Sequence, residues 1–129
     1  MKKILVKNQE VTYQILNPGG NQTALVFGND YREEEKKQIN DQILQENQEV
    51  EQVGFLAQKE KRLEMAGGEF CINATRCAIW QYLDGNPGTI ELQVSGFKGK
   101  IKGGITEEKE VYAEMQINQT IEELLETKR

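Results

Sequence analysis

The sequence predicts an α+β domain in which a strongly curved antiparallel sheet wraps around one buried helix. Short runs rich in β-branched and aromatic residues recur along most of the chain, separated by Gly, Asn and Pro turns. One segment, 72–83, is apolar around much of its circumference, which is typical of a helix enclosed by other elements. The chain has 129 residues, of which 37% are hydrophobic, so we expect 1–129 to form a single domain.

The first half of the chain predicts five strands and one helix. The strands are "KKILV", "VTYQIL", "QTALVF", "EVEQVGFLAQ" and "KRLEM", and the last two are expected to pair across the charged turn "KEK". Between the third and fourth strands, Asp30 and Glu33 form the pattern of a capping box and predict a helix that runs to about Glu46. The apolar stripe of this helix, with Ile39 and Ile43, is narrow, so the helix should lie outside the sheet.

The second half predicts the buried helix followed by three strands. The helix begins near Ile72 and ends before Gly85 and Pro87, which are stop signals. The segment "TIELQVSG" alternates apolar and polar residues as a half-buried strand does, and "KGKIKGG" and "VYAEMQIN" are expected to extend the sheet. The last stretch, "QTIEELLETKR", predicts a short amphipathic helix or a helical linker.

Charge and composition argue against several classes of partner. The chain carries 21 acidic and 16 basic side chains, a formal charge of -5, which disfavours binding to nucleic acid or anionic membranes. No run approaches the ~18 apolar residues of a membrane-spanning helix. The segment "MKKILVKNQEV" lacks the apolar core of a signal peptide. We therefore expect a cytoplasmic protein that binds neither nucleic acid nor membranes.

The chain contains no histidine, and this absence narrows its chemistry. It excludes Ser-His-Asp catalysis, Cys-His catalysis and histidine-ligated zinc, and no metal site is expected. Proton transfer must use Cys, Glu, Asp, Lys or Tyr. The two cysteines, Cys71 and Cys77, are expected to be free thiols, because disulfides are rare in a reducing compartment and bridging geometry within one helix is poor.

Cys71 lies in the stretch "EMAGGEFCINATRCAIWQYL", directly before the buried helix. At the N-cap or first turn of that helix, the free amides of Ile72, Asn73 and Ala74 would face its thiol and any anion beside it. A helix N-terminus favours a thiolate and attracts a carboxylate, which places an acidic Cα–H next to a base. The alternative is that Cys71 is a small core residue and the neighbouring glycines mark a turn. Cys77 is expected to pack in the core.

Several stretches carry a resemblance to a known family. "FCINATRCA" resembles the cysteine motif of the diaminopimelate epimerase superfamily, which reads Cys-Gly-Asn-Gly or Ala-x-Arg-Cys at the start of a buried helix. "NPGGNQTALV", "VEQVGFL" and "LQVSG" resemble other parts of the superfamily in order and spacing. Within it, the chain is most similar to the histidine racemases of staphylopine-type metallophore biosynthesis. The resemblance extends over nearly the whole chain and corresponds to the N-terminal domain of these enzymes.

The resemblance implies a cofactor-independent amino-acid racemase or epimerase. In that family two cysteines flank the α-carbon of the substrate; one thiolate removes the proton, and the other thiol returns one on the opposite face. Cys71 occupies the position of the first cysteine. The resemblance implies that Asn21 and Gln52 contact the substrate, and that Asn73 and the neighbouring amides of Ile72 and Ala74 form the carboxylate-binding start of the helix.

Glu51 resembles a catalytic residue of a related family. In the related phenazine-biosynthesis isomerases, a glutamate in a similar Glu-x-x-Phe setting acts as the acid–base residue, and Glu51 resembles it. Structural alternatives stay open for several positions. Asn21 can simply favour its turn, Glu51 and Gln52 can be solvated strand residues, and Arg76 can form a structural ion pair.

Two departures from the family pattern bear on activity. Ile72 stands where the family has glycine, and its β-branched side chain would crowd the carboxylate site. The family enzymes consist of two similar domains, and their second catalytic cysteine lies in the domain that this chain lacks. Cys77 cannot replace it, because the helix holds Cys77 away from the opposite face of a ligand at Cys71.

Three interpretations of the missing half therefore stay open. The chain can be the N-terminal domain of a longer enzyme, completed by a second racemase domain and inactive alone; this is the interpretation we favour, with a histidine-like amino acid as substrate. It can be a natural half that self-associates around a two-fold axis through an exposed face. It can also be a non-catalytic binding domain that kept the fold.

Overall fold

The computed structural model describes residues 1–17, 22–28, 30–57 and 59–114. In chain order its elements are β1 (Lys2–Val6), β2 (Gln9–Leu16), β3 (Thr23–Phe27), α1 (Glu33–Glu46), β4 (Gln52–Leu56), β5 (Arg62–Met65), α2 (Ile72–Tyr82), β6 (Gly88–Val94), β7 (Lys100–Ile105) and β8 (Val111–Glu114). Each corresponds to a strand or helix predicted from the sequence. The end of "VYAEMQIN" and the whole of "QTIEELLETKR" lie outside the described residues. No helix among the described residues is long and apolar enough to cross a membrane.

The strands of the described residues form one eight-stranded sheet in chain order, and this sheet is mixed. The prediction of an antiparallel sheet is therefore wrong for two of the neighbouring strand pairs. β3 and β4 are parallel, as are β5 and β6, whereas the other neighbouring pairs are antiparallel. Each parallel pair is joined through a helix, α1 in the first case and α2 in the second, because parallel neighbours need a crossover connection.

The two helices lie on opposite faces of the sheet. β4 and β5 are antiparallel, so β3 and β4 point the opposite way from β5 and β6, while both crossovers step in the same direction across the sheet. Crossovers of this kind are right-handed, and two right-handed steps with reversed strand direction place their helices on opposite faces. The side chains of β3 agree with this: Leu25 belongs to the core beneath α2, whereas Ala24 and Val26 belong to the core beneath α1.

α1 covers one face with a narrow apolar stripe, as the sequence predicted, and Ile39 and Ile43 are its buried hydrophobic residues. Its N-terminus differs from the prediction. The N-cap residue is Arg32, whose amide donates to Glu35 Oε1 at 2.9 Å. The interacting pair therefore lies two residues later than the predicted capping box, because the chain becomes helical only after Arg32.

A partly buried ion pair, which the sequence did not indicate, holds α1 to the sheet. Lys36 of α1 is buried, and its ammonium group pairs with the carboxylate of Glu64 on β5 and lies 5.7 Å from the centre of the Phe55 ring. Arg62 Nε lies 2.8 Å from the other oxygen of Glu64. Burial alone would raise the pKa of Glu64, but the hydrogen bonds and charges of Lys36 and Arg62 outweigh it and hold that pKa below its ordinary value.

α2 packs on the other face and contacts β3, β4, β7 and β8. Its buried residues are Ala74, Thr75, Cys77, Ala78 and Ile79. Gly103 on β7 permits a close approach, because a Cβ there would overlap Ile79 Cδ1. The helix ends at Tyr82, and Gly85 follows with a φ of +69°, which agrees with the predicted stop signal.

Candidate functional site

Cys71 is the N-cap residue of α2. Its backbone is extended, and its Sγ accepts a hydrogen bond from the amide of Ala74 at 3.5 Å. Its carbonyl oxygen accepts from the amide of Thr75 at 3.0 Å and from the hydroxyl of Thr75 at 2.8 Å. The side chain is half-buried. The thiol is therefore held at the start of the helix, as predicted from the sequence.

The first turn of α2 has two amides without an acceptor among the described residues. The Ala74 amide donates to the thiol, so the three free amides predicted from the sequence are reduced by one. Those of Ile72 and Asn73 have no acceptor in the part of the chain that the structure describes. Free amides at a helix N-terminus favour an anion. The side chains of Ile72 and Asn73 are half-buried, and Ala74 is buried, so the amides of Ile72 and Asn73 are the donors that this turn offers to an anion.

α2 runs in the same direction as β3 and β4. Cys77 Sγ lies 3.9 Å from the carbonyl oxygen of Leu16, the last residue of β2, which pairs with the start of β3. At the other end of the helix, the hydroxyl of Tyr82 donates to the carbonyl oxygen of Ala57, just beyond β4, at 2.8 Å. Cys71 lies about 9 Å before Cys77 along the helix axis. It therefore lies at the end of the domain where β3 and β4 begin.

Two further predicted site residues lie at the start of β4. Gln52 is half-buried, and its Nε2 donates to the hydroxyl of Thr23, which is fully buried. Glu51 is exposed, and its amide donates to the carbonyl oxygen of Gln22 at 3.0 Å. The structure thus brings both residues to the same end of the domain as the thiol. The side-chain nitrogen of Gln52 is bonded to Thr23 within the domain, which the sequence did not indicate.

Cys77 belongs to the core, as predicted. It is 1% exposed. Burial raises the pKa of its thiol to about 11, against the smaller opposing effect of the hydrogen bond from Thr23. Both cysteines are free. At neutral pH Cys77 is therefore a protonated thiol without access to solvent.

Two other predicted positions have different outcomes. Asn21 lies outside the described residues. Arg76 forms no ion pair with any residue that the structure describes, and its buried Nε has no hydrogen-bond partner among them. Over the same residues, no three His, Cys, Asp or Glu side chains come together in a way that could hold a metal ion.

Residues after β6 hold the segment before the cysteine, which no sequence pattern indicated. The hydroxyl of Ser95 donates to the carbonyl oxygen of Glu69 at 2.7 Å and accepts from the amide of Met65 at 2.9 Å. Gly96 lies against the backbone of Phe70. In the sequence, "LQVSG" indicates only a strand and a resemblance to the family. Contacts between residues so far apart in the chain leave no local pattern that would have revealed this role.

Alkylation of the native protein by iodoacetamide at pH 7 is expected to modify Cys71 and leave Cys77 unmodified. Cys71 is half-buried at a helix terminus, whereas burial keeps Cys77 protonated and closed to the reagent. Trypsin cleaves after Arg76, so the two cysteines fall on different peptides and mass spectrometry can quantify each. The urea-unfolded protein, in which both thiols react, is the control. Equal labelling of the two in the native protein, or labelling of neither, would contradict this expectation.

Comparison with known proteins assigns the chain to a family. A family model described as the histidine racemase CntK N-terminal domain matches residues 10–128. The chain belongs to this family. The matched residues include Cys71, Glu51, Gln52 and the whole of α2. The resemblance to histidine racemases drawn from the sequence motifs is thereby confirmed.

Two curated relatives, from two strains of Fusobacterium nucleatum subsp. nucleatum, are named histidine racemase. They are 42% and 39% identical to this chain over 71 residues. The match covers 54% of this chain and 26% of each relative. The chain thus covers about a quarter of the length of the curated histidine racemases that it matches.

Proposed function

We propose that the chain is the N-terminal domain of a cofactor-independent amino-acid racemase in which Cys71 is one of two acid–base thiols. The observation that carries this proposal is the half-buried thiol at the N-cap of α2, beside the amides of Ile72 and Asn73, which have no acceptor in the described part of the chain. Membership of the histidine racemase N-terminal domain family supports the reaction class. The names of the two relatives support a histidine-like amino acid as substrate.

In the proposed reaction the substrate carboxylate binds the amides of Ile72 and Asn73, which places the Cα–H beside Cys71 Sγ. The thiolate takes the α-proton, and the electron pair of the C–H bond is delocalised into the carboxylate, whose developing charge the two amides stabilise. A second thiol then delivers a proton to the opposite face of the carbon. One proton leaves and one returns, so the product is the mirror-image amino acid and no oxidant is needed.

The neighbouring residues shape this site in the proposal. The half-buried Ile72 side chain, at the position of the family's glycine, narrows the space beside the carboxylate. Because the Nε2 of Gln52 is bonded to Thr23, its Oε1 is the atom left to accept a hydrogen bond from the substrate ammonium group. Asn21 is proposed as a further substrate contact. Glu51, exposed at the same end, is the acid–base residue only in an alternative isomerase mechanism.

We propose that a second domain supplies the opposing thiol. Cys77 cannot do so, because it is buried in the core with its pKa raised to about 11. The partial coverage of the curated relatives supports a longer enzyme. The alternatives are a pair of chains that meet around a two-fold axis, with two Cys71 thiols facing each other, and a binding domain without catalysis. On the favoured interpretation the chain alone is inactive.

We also infer that the chain forms a single domain whose sheet curves around α2. The axis of α2 runs along β3 and β4, so only its diameter of about 10 Å extends across the sheet from strand to strand. In a flat sheet β3 and β8 would be about 24 Å apart. α2 contacts both, which supports a sheet that bends toward the helix on this face.

Exchange of the substrate Cα–H in heavy water tests the proposed function. A protein extended past Arg129 by the second domain is expected to exchange the Cα–H of L-histidine for deuterium and to form D-histidine, measured by NMR and chiral chromatography. The 129-residue chain alone is expected to do neither and to sediment as a monomer. Exchange by a dimer of the chain alone would favour the two-fold alternative. Absence of exchange in both proteins would refute the racemase function and favour a binding domain.

A further inference from the structure

Ser95, the residue after β6, connects the two ends of the glycine turn that precedes α2. Its Oγ accepts from the amide of Met65, the last residue of β5, at 2.9 Å, and donates to the carbonyl oxygen of Glu69 at 2.7 Å. Its own amide donates to the carbonyl oxygen of Leu63 at 2.9 Å. The two bonds of the hydroxyl close the 66–68 turn at both ends, and the bond of the amide ties Ser95 to β5. They therefore define the path by which the chain leaves β5 and reaches Cys71.

The two residues after Ser95 hold the same segment. Gly96 has a φ of +75°, in the left-handed region that favours glycine. A Cβ there would overlap the amide nitrogen of Phe70 and lie 2.8 Å from the carbonyl carbon of Glu69. Phe97 packs against Phe70, with ring centroids 5.7 Å apart. Residues 95–97 thus contact Glu69 and Phe70, the two residues directly before Cys71, through backbone and aromatic contacts.

We propose that Ser95 is a positioning residue for Cys71. Its hydroxyl anchors the carbonyl of Glu69, which fixes the backbone entering α2 and keeps the thiol at the N-cap, where it accepts from Ala74. The catalytic meaning of this role rests on the proposed function of Cys71. The structural role does not, because the thiol and the Ala74 amide can be observed without turnover.

Hydrogen exchange of the Ala74 amide, followed by NMR, reads out the position of the thiol directly. In Ser95→Ala this amide is expected to exchange about tenfold faster after correction for the global free energy of unfolding, because its acceptor is no longer held in place. Ser95→Thr keeps the hydroxyl and should restore slow exchange. Thr106→Ala is the matched control: Thr106 Oγ1 accepts from the amide of Glu110 at 3.0 Å in the β7–β8 connection, and its loss should leave Ala74 unaffected.

The completed two-domain enzyme provides a second readout. There, Ser95→Ala is expected to lower kcat for Cα–H exchange about tenfold with a smaller change in KM, and Thr106→Ala to leave both unchanged. Unchanged Ala74 exchange in Ser95→Ala, with a loss of stability equal to that of Thr106→Ala, would show that Ser95 is merely structural and overturn the proposal. If the unmutated two-domain enzyme shows no exchange of substrate, the proposed function fails, and the Ala74 amide alone decides the positioning role.

Discussion

Cys71→Ser is expected to lower Cα–H exchange by the two-domain enzyme by at least about a hundredfold, because a serine hydroxyl is not a base at neutral pH. Serine is among the preferred N-cap residues, so the variant should keep α2 capped and the domain folded. The loss would then report chemistry and not unfolding. Deuterium incorporation at the α-carbon of L-histidine, followed by NMR, is the measurement, and thermal unfolding checks the fold.

Cys77→Ala is the matched control for this experiment. It removes the other sulfur from the same helix, 1% exposed in the core, and should change the exchange rate only as far as it changes stability.

Glu51→Gln separates the thiol mechanism from the glutamate-based isomerase mechanism. If Glu51→Gln abolishes the reaction while Cys71→Ser retains most of it, the thiol mechanism is wrong and the glutamate-based isomerase alternative takes its place.

Glu64→Gln is expected to destabilise the domain by about 3 kcal/mol, because it leaves the ammonium group of Lys36 buried without an opposing charge. The Lys36 side chain is 5% exposed, so solvent cannot replace the lost carboxylate. The free energy of unfolding at pH 7, from urea titration with circular dichroism, is the measurement. A second variant, Lys36→Met with Glu64→Gln, should recover much of the loss because it removes the stranded charge.

Glu91→Gln is the matched control, since Glu91 pairs with Lys102 at 3.9 Å and both side chains are about half exposed. Such a surface pair contributes about 0–1 kcal/mol. Equal losses of stability in Glu64→Gln and Glu91→Gln would show that the Lys36–Glu64 ion pair contributes no more than a solvent-exposed pair.

The same carboxylate predicts how stability depends on pH. The pKa of Glu64 is lowered in the folded chain from an ordinary value of 4.5, so the unfolded chain binds the proton more readily. Its contribution is fully present above about pH 4.5 and is lost as the pH falls through the lower folded value. Stability should therefore fall less steeply in acid for Glu64→Gln than for the unmutated chain, and parallel curves would contradict this.

The strands and helices could be predicted from the sequence because their signals are local. Alternation in "TIELQVSG" and the apolar circumference of 72–83 depend only on neighbouring residues. The sheet topology was predicted incorrectly, although a helix between β3 and β4, and another between β5 and β6, already favoured parallel pairing. The N-cap residue of α1 is Arg32 and not the predicted Asp30. Several acidic residues follow Asp30 and give similar local patterns, so the sequence does not distinguish between neighbouring starts of the helix.

The candidate site was predicted in part. The N-cap position of Cys71 and the burial of Cys77 follow from the order of polar and apolar residues around one helix start. The bond from Gln52 to Thr23 could not be predicted, because it depends on the register of two parallel strands. The contacts of Ser95 depend on a turn reached only after the whole of α2 and β6.

The chemistry open to this protein follows from its sequence, which has no histidine, one cysteine at a helix start, one inside the helix, and motifs that resemble those of histidine racemases. Which of these groups meet depends on how the strands and helices are arranged in space. The two crossovers, whose strand pairs point in opposite directions, place α1 and α2 on opposite faces. Ser95, after β6, donates a hydrogen bond to the carbonyl oxygen of Glu69, two residues before Cys71. Local sequence patterns act over a few residues, whereas these contacts depend on strand order and register across the whole sheet.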